Sequence, residues 1–280
     1  MEEAQSLLAG DADAKVFAGA TDLVPQMRAG RPEPSIAVDL KKIDRLMAVA
    51  DNGGSWTVGA ATPTSDLTRN GAFSGDLPGL SYAAGLIGSD QIQNRSSLGG
   101  NLCNASPAAD SVPAMIVNDA RAVIAGANGT RTVPVADVVT GPGSTSLADG
   151  EFLVEIEIDK PAANTSDAYL RMIPRTEMDI AVVGAAARIT LDDAGNCTGA
   201  TIALGAVAPT VVRVPDAEAA LVGGPISDEA LASVAAAASA ACNPIDDKRG
   251  TIAYRRQVAG VLAKRAVVQA AERVQNGGAA

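Results

Sequence analysis

Gln91-Ile92-Gln93-Asn94-Arg95-Ser96-Ser97-Leu98-Gly99-Gly100-Asn101-Leu102-Cys103-Asn104-Ala105-Ser106-Pro107-Ala108-Ala109-Asp110 combines adjacent glycines, hydroxyls, side-chain amides and one carboxylate, and apolar sequence follows it. Gly99-Gly100 removes side chains where another group can approach and permits positive φ, while Ser97, Asn101 and Asp110 offer hydroxyl, amide and carboxylate partners. This composition suits a backbone that touches a ligand. Taken alone the stretch also suits a plain turn, with Asp110 as the cap of a helix that begins around Ser111-Val112-Pro113.

A second glycine turn lies upstream. Ala14 to Ala18 is an apolar run of strand length, Gly19-Ala20-Thr21-Asp22 follows at once, and Leu23, Val24 and Met27 recur at helical spacing until Gly30. The free N–H groups of such a helix start, beside the Thr21 hydroxyl, form a natural phosphate cradle. A capped helix in a βα unit explains the same residues. If Ala20 takes positive φ, its Cβ costs on the order of 1 kcal/mol relative to glycine.

Outward from these turns, residues 35–39 predict a second strand, and Asp51-Asn52-Gly53-Gly54 predicts a hairpin into Trp56 to Ala60. Short helices follow after Thr64 and over 77–88, the latter broken by Gly79 and Gly85. Residues 122–125 and 132–135 pair around a turn, and Phe152, Val154, Ile156 and Ile158 alternate with a largely polar face. Pro161 to Ser166 is small and polar, a natural lobe boundary. Beyond it, strands over 168–173, 180–191 and 200–206 form a three-stranded antiparallel meander, the first two joined by Pro174 to Glu177. Helices after Ser227 and over Tyr254 to Val268 complete an α+β lobe.

Composition narrows the function. The 280 residues are 47% hydrophobic with a net charge of −10, which suits two or three compact lobes and disfavours nucleic acid or an anionic membrane as partner. No apolar run approaches the roughly 18 to 20 residues of a membrane span, and the start lacks a signal segment. A cytoplasmic protein is expected. Histidine is absent, which removes the commonest metal ligand and general base. Cys103, Cys197 and Cys242 match no zinc or iron–sulfur spacing and read as buried or idle thiols in a reducing compartment.

With both glycine turns in view, the chain resembles the FAD-binding medium subunit of molybdenum hydroxylases, the family of aerobic carbon monoxide dehydrogenase and xanthine dehydrogenase. Ala18-Gly19-Ala20-Thr21-Asp22-Leu23 is similar to the family's first flavin loop, with Ala20 in place of a usual glycine. Ser97-Leu98-Gly99-Gly100-Asn101 with Asn104 to Asp110 resembles the second loop closely. Met178 to Val183, Leu204 to Thr210 and Tyr254-Arg255-Arg256 resemble three further signatures in the expected order.

The resemblance implies an α+β fold with a two-part FAD-binding region of PCMH type. A small α/β N-terminal part (1–52) and a larger α+β middle part (53–165) precede a C-terminal α+β lobe (166–280) with a three-stranded antiparallel sheet and helices. It implies FAD contacts from Val16, Phe17, Ala18, Gly19, Ala20, Thr21, Asp22 and Leu23, from Ser97, Gly99, Gly100, Asn101 and Asn104, and from Asp110, Leu147 and Arg171. Gln93 and Arg171 stand where family members carry arginine and lysine. Without histidine no histidyl–flavin bond forms, so the FAD is expected to be non-covalent. No residue of this chain is expected to be catalytic or to bind metal.

The function so implied is electron transfer within a complex. Molybdopterin sits on a large partner subunit, 2Fe-2S clusters on a small one, and electrons leave through FAD to an external acceptor. Two alternatives stand beside it: a flavin-free scaffold subunit, with Ala20 as its best supporting feature, and a stand-alone flavin oxidoreductase.

Overall fold

The computed structural model describes residues 1–176 and 178–277; Glu177, the end of the expected link at 174–177, lies outside the described residues. The N-terminal part comprises α1 (Glu2–Gly10), β1 (Lys15–Phe17), α2 (Leu23–Arg28), β2 (Ala37–Asp39) and α3 (Asp44–Met47). β1 and β2 pair in parallel, Lys15 opposite Ala37, so α2 is a crossover helix. Ala20, between β1 and α2, has φ 57°, and its carbonyl accepts from Val24 N at 3.1 Å. The turn therefore enters the left-handed region despite the Cβ. Two strands cannot enclose a core. Leu40 and Leu46 are buried against Ala61, Ala125, Phe152 and Val154 of the next part, and Arg45 grips Glu155 through two bonds of 2.9 and 2.6 Å.

The middle part runs β3 (Val49–Asp51), β4 (Ser55–Gly59), α4 (Thr64–Arg69), α5 (Gly71–Asp76), α6 (Pro78–Gly85), α7 (Asp90–Gln93), α8 (Leu98–Cys103) and α9 (Ser111–Val117). It continues with β5 (Arg121–Gly126), β6 (Gly129–Pro134), β7 (Val139–Gly141), β8 (Ser144–Thr145) and β9 (Phe152–Asp159). An antiparallel sheet of order β3-β4-β9-β5-β6 carries the helices. Gly79 does not break α6. It lies in the first turn of that helix, where a Cβ would come within 2.8 Å of the Ala168 backbone.

β9 departs from the expected alternation. Its register against β5 jumps from Val123↔Glu155 to Ile124↔Leu153, leaving Val154 as an extra residue. Such a bulge flips every side chain beyond it. Ile156 and Ile158 join the main core with Leu153, while Phe152 and Val154 turn to the N-terminal part. The face read as polar is covered over its first half, with Leu153 at 3% and Glu155 at 7% exposure, while Glu157 is half-buried and Asp159 exposed.

The C-terminal lobe contains β10 (Thr165–Met172), β11 (Val183–Leu191), β12 (Cys197–Gly205), β13 (Val212–Arg213), α10 (Pro215–Ala219), α11 (Asp228–Ala241) and α12 (Ile252–Gln275). The sheet has four strands rather than the expected three. β13 adds an edge through Ala203↔Arg213 and Leu204↔Val212; two residues ending before Pro215 carry no readable alternation. Tyr169, Ala186 and Ala203 face the middle part, while Ala168, Ala185, Ala187, Ile202 and Leu204 face α11 and α12. Burial on both faces explains how so many alanines sit in strands, because packing decides the state over propensity.

Two buried ionisable groups organise the packing, Asp167 between the middle part and the C-terminal lobe and Arg255 within that lobe. Asp167 accepts from Gly79 N (2.8 Å), Leu80 N (3.0 Å) and Asn118 Nδ2 (2.7 Å), so a β10 carboxylate caps α6. Burial pushes that carboxyl above its usual range against the pull of these donors. Arg255 donates through Nη1 to Val182 O (2.6 Å) and Ala206 O (3.2 Å), and through Nη2 to Asp247 (2.7 Å). The three signatures of the C-terminal lobe thus meet at one guanidinium.

Two outcomes follow for stability in urea. Asp167→Ala strips three buried donors of their acceptor and should cost about 3 kcal/mol; a loss below about 1 kcal/mol would show that the cap is idle. Ala20→Gly relieves the left-handed turn and should raise stability by about 1 kcal/mol; a loss would mean that the Ala20 methyl is needed where it sits.

Candidate functional site

The two glycine turns meet in the fold. A Cβ on Gly19 would lie 1.9 Å from Arg95 O, so the first turn rests directly on the backbone that leads into the second. Arg95 Nε returns a bond to Gly19 O at 3.2 Å. Among the described residues Arg95 makes no salt bridge; its contact stitches the turns. Thr64 N bonds Ser96 O at 2.8 Å, and Ser97 Oγ caps α8 by accepting from Gly100 N at 3.0 Å. Gly99 packs against Ala60, where a Cβ would fall 2.5 Å from the carbonyl oxygen. Gly100 is different. Its Cβ would meet only Ser97 Oγ at 3.1 Å, and the residue is exposed.

Between the turns opens a cleft of about 510 Å³. Val16, Phe17, Ala18, Gly19, Ala20, Thr21, Asp22 and Leu23 line it on one side, and Ser97, Gly99, Gly100, Asn101 and Asn104 on the other. The N–H groups of Gly19, Ala20, Thr21, Asp22 and Leu23 find no acceptor among the described residues, and neither do those of Leu98 and Gly99. These are donors at two helix starts, where the helix dipoles also favour negative charge. Asn101 Oδ1 is engaged by Ser111 Oγ at 2.7 Å, which leaves its amide N–H groups for the cleft. Asp22 is open to solvent, yet the surrounding protein pushes its carboxyl above the usual range.

Asp110, Leu147 and Arg171 do not line this cleft. Arg171 Nη1 and Tyr169 OH each bond Asp110, both at 2.8 Å, in a buried triad between α9 and β10. Burial pushes the Asp110 carboxyl upward against the pull of Arg171, and raises the Tyr169 hydroxyl well above its ordinary value. Asp110 stands at the helix cap position without capping through its side chain. Leu147 packs on the middle core, four residues beyond Gly143, which does line the cleft.

The sequence reading passed over several lining residues: Lys15, Gln26, Arg31, Leu40, Gly143 and Leu153. They arrive from β1, from α2 and the loop after it, from the turn that follows β2, and from β7 to β9, so only tertiary pairing brings them together. Lys41 steadies the strand end from outside, donating to Ala18 O at 2.5 Å and Asp39 at 2.6 Å.

Residues 1–161 match the family described as "FAD binding domain in molybdopterin dehydrogenase", and residues 168–270 the "CO dehydrogenase flavoprotein C-terminal domain". The carbon monoxide dehydrogenase medium chain of Hydrogenophaga pseudoflava is 34% identical, over 91% of this chain and 88% of its own. The xanthine dehydrogenase FAD-binding subunit of Escherichia coli O157:H7 is 30% identical, over 96% and 93%. A solved structure of the Hydrogenophaga pseudoflava enzyme, lacking the Mo-pyranopterin moiety of its molybdenum cofactor, superposes with a TM-score of 0.92 at 36% identity, covering 97% of this chain and 94% of that one. Quinoline 2-oxidoreductase from Pseudomonas putida 86 gives 0.91 at 30% identity, over 98% and 95%. The glycine turns that frame the cleft fall within the first of the two matched segments, and the chain belongs to the family of FAD-binding subunits of molybdopterin dehydrogenases.

Proposed function

We propose that this chain is the flavoprotein component of a molybdenum hydroxylase complex, through which reducing equivalents from partner subunits reach an external acceptor. The observation that carries the reading is the cleft between the seated turns, with two helix starts whose N–H groups find no acceptor among the described residues. A pyrophosphate needs such donors, and backbone N–H groups supply them without the basic surface that a chain of net charge −10 lacks. The bare Cα of Gly100, bordered by the Ser97 hydroxyl, leaves room for the same group.

When bound, FAD supplies the redox chemistry, and the protein orients and tunes it. In this reading Gly19 to Leu23 and Leu98 to Gly100 hold the phosphates, and Asn101 and Asn104 address sugar hydroxyls. The Asp110–Arg171–Tyr169 triad would hold the adjoining wall in place, with Leu147 behind it. No proton transfer by a side chain is required. Cys103 is exposed on the cleft, and desolvation by the cleft walls pushes its thiol upward. A protonated thiol is a poor nucleophile, and histidine is absent, so both support a non-covalent cofactor.

The scaffold alternative loses its main support, since Ala20 adopts the left-handed turn and leaves the first cradle formed. We take the expected parts 1–52, 53–165 and 166–280 as the working division, with β3 (Val49–Asp51) assigned to the middle part because it pairs with β4 and Thr165 to the last part as the start of β10. Molybdopterin and 2Fe-2S clusters would reside on a large and a small partner subunit. Among the described residues no helix is long and apolar enough to cross a membrane. The three free cysteines favour the cytoplasm.

The chain purified with its complex should show a flavin absorption spectrum at one FAD per copy, and acid should release that FAD intact. Gly100→Asp places charge and bulk in the cleft at an exposed position where a Cβ meets one side-chain hydroxyl, that of Ser97, and no backbone. It should remain folded by circular dichroism and lose nearly all flavin. A flavin-free spectrum from the unaltered complex would overturn the reading, as would full FAD occupancy in the variant.

A further inference from the structure

Three polar residues close the mouth of the cleft. Gln26 on α2 donates through Nε2 to Asn104 Oδ1 at 3.0 Å, joining the rim that follows the first turn to the rim that follows the second. Its Oε1 accepts from Arg31 Nη1, and Arg31 N bonds Gln26 O at 3.0 Å. The Gln26 amide is thereby held at both ends. Its orientation is fixed by what each end can do: the NH2 faces an acceptor and the oxygen faces a donor.

The consequence falls on Arg31. This side chain is permanently charged, lies in a cleft wall that also contains Asp13, Asp22 and Glu33, and has no carboxylate within salt-bridge distance among the described residues. It is drawn toward a neutral amide over the opening, with most of its N–H donors uncommitted. Among the described residues lining the cleft only Lys15 offers another cation. Asn104 sits one helical turn beyond Gly100, so the strap crosses beside the second cradle; Asn104 N bonds Gly100 O at 2.9 Å.

We infer that Arg31 is the charged clamp of this cleft: its guanidinium donates to a phosphate oxygen of the dinucleotide, and the Gln26–Asn104 pair holds it across the mouth. This rests on the flavin reading above and deepens it. Backbone donors fix where the phosphates sit, and Arg31 makes the site prefer a phosphorylated flavin over the neutral riboflavin core. A guanidinium–phosphate contact is charge-assisted and directional, so its loss weakens binding of the charged ligand alone. Gln26 and Asn104 position the guanidinium.

The test is titration of the full-length, flavin-stripped chain with FAD and with riboflavin, followed by flavin fluorescence at several salt concentrations. For Arg31→Gln the Kd for FAD should rise about tenfold and lose part of its salt dependence, with riboflavin binding within about twofold of the unaltered chain. Gln26→Leu, which leaves the charge but frees it, should give a smaller rise. An FAD affinity and salt slope unchanged in Arg31→Gln would overturn the clamp while leaving the flavin site standing. An equal loss for FAD and riboflavin would overturn it too. Failure of the unaltered chain to bind FAD would instead remove the flavin reading and the clamp together.

Discussion

The seat of Gly19 on the Arg95 carbonyl is the contact from which the site follows. No side chain fits there, since a Cβ would lie 1.9 Å from the oxygen. That approach sets the spacing between two helix starts belonging to different parts of the chain. It brings the free N–H groups of 19–23 and 98–99 to one cleft. Other contacts protect the spacing: Arg45 with Glu155 ties the small N-terminal part to β9, Arg95 bonds back to Gly19, and Gln26 reaches Asn104 across the opening.

Charge explains why the site is built from backbone. A chain with ten more acidic than basic residues cannot attract an anion through its surface field. Peptide N–H groups at helix starts carry partial positive charge regardless of side-chain composition, and they cost nothing in solubility. The acidic balance and a phosphate-bearing ligand are compatible on these terms. Among the described residues the C-terminal lobe contributes none to the cleft lining, yet its buried Asp167, Tyr169 and Arg171 hold α6 and α9 from behind. Its own signatures converge on Arg255, a structural use of motifs that as bare sequence invite a functional one.

The turns were legible because their chemistry is local. Gly99-Gly100, Ser97 and the Gly19-Ala20-Thr21 run carry composition that only a few backbone conformations use, and their flanking patterns placed each at a helix start. Resemblance supplied the name of the ligand, which residue types alone did not. Illegible were features created by pairing at a distance. Val154 is an ordinary valine in the sequence and a bulge only against β5. Arg31 is a charged loop residue until Gln26 orients it. Asp110 read as a ligand contact or cap, and its partner Arg171 lies 61 residues away on another lobe. β13 is two residues long and shows itself only beside β12.

Amide hydrogen exchange reads backbone donation to the ligand residue by residue. Without ligand, the N–H groups of Gly19 to Leu23, which find no acceptor among the described residues, should exchange quickly; with one equivalent of FAD, they should slow together with those of Leu98 and Gly99. FAD bound at full stoichiometry with exchange at both turns unchanged would contradict the account.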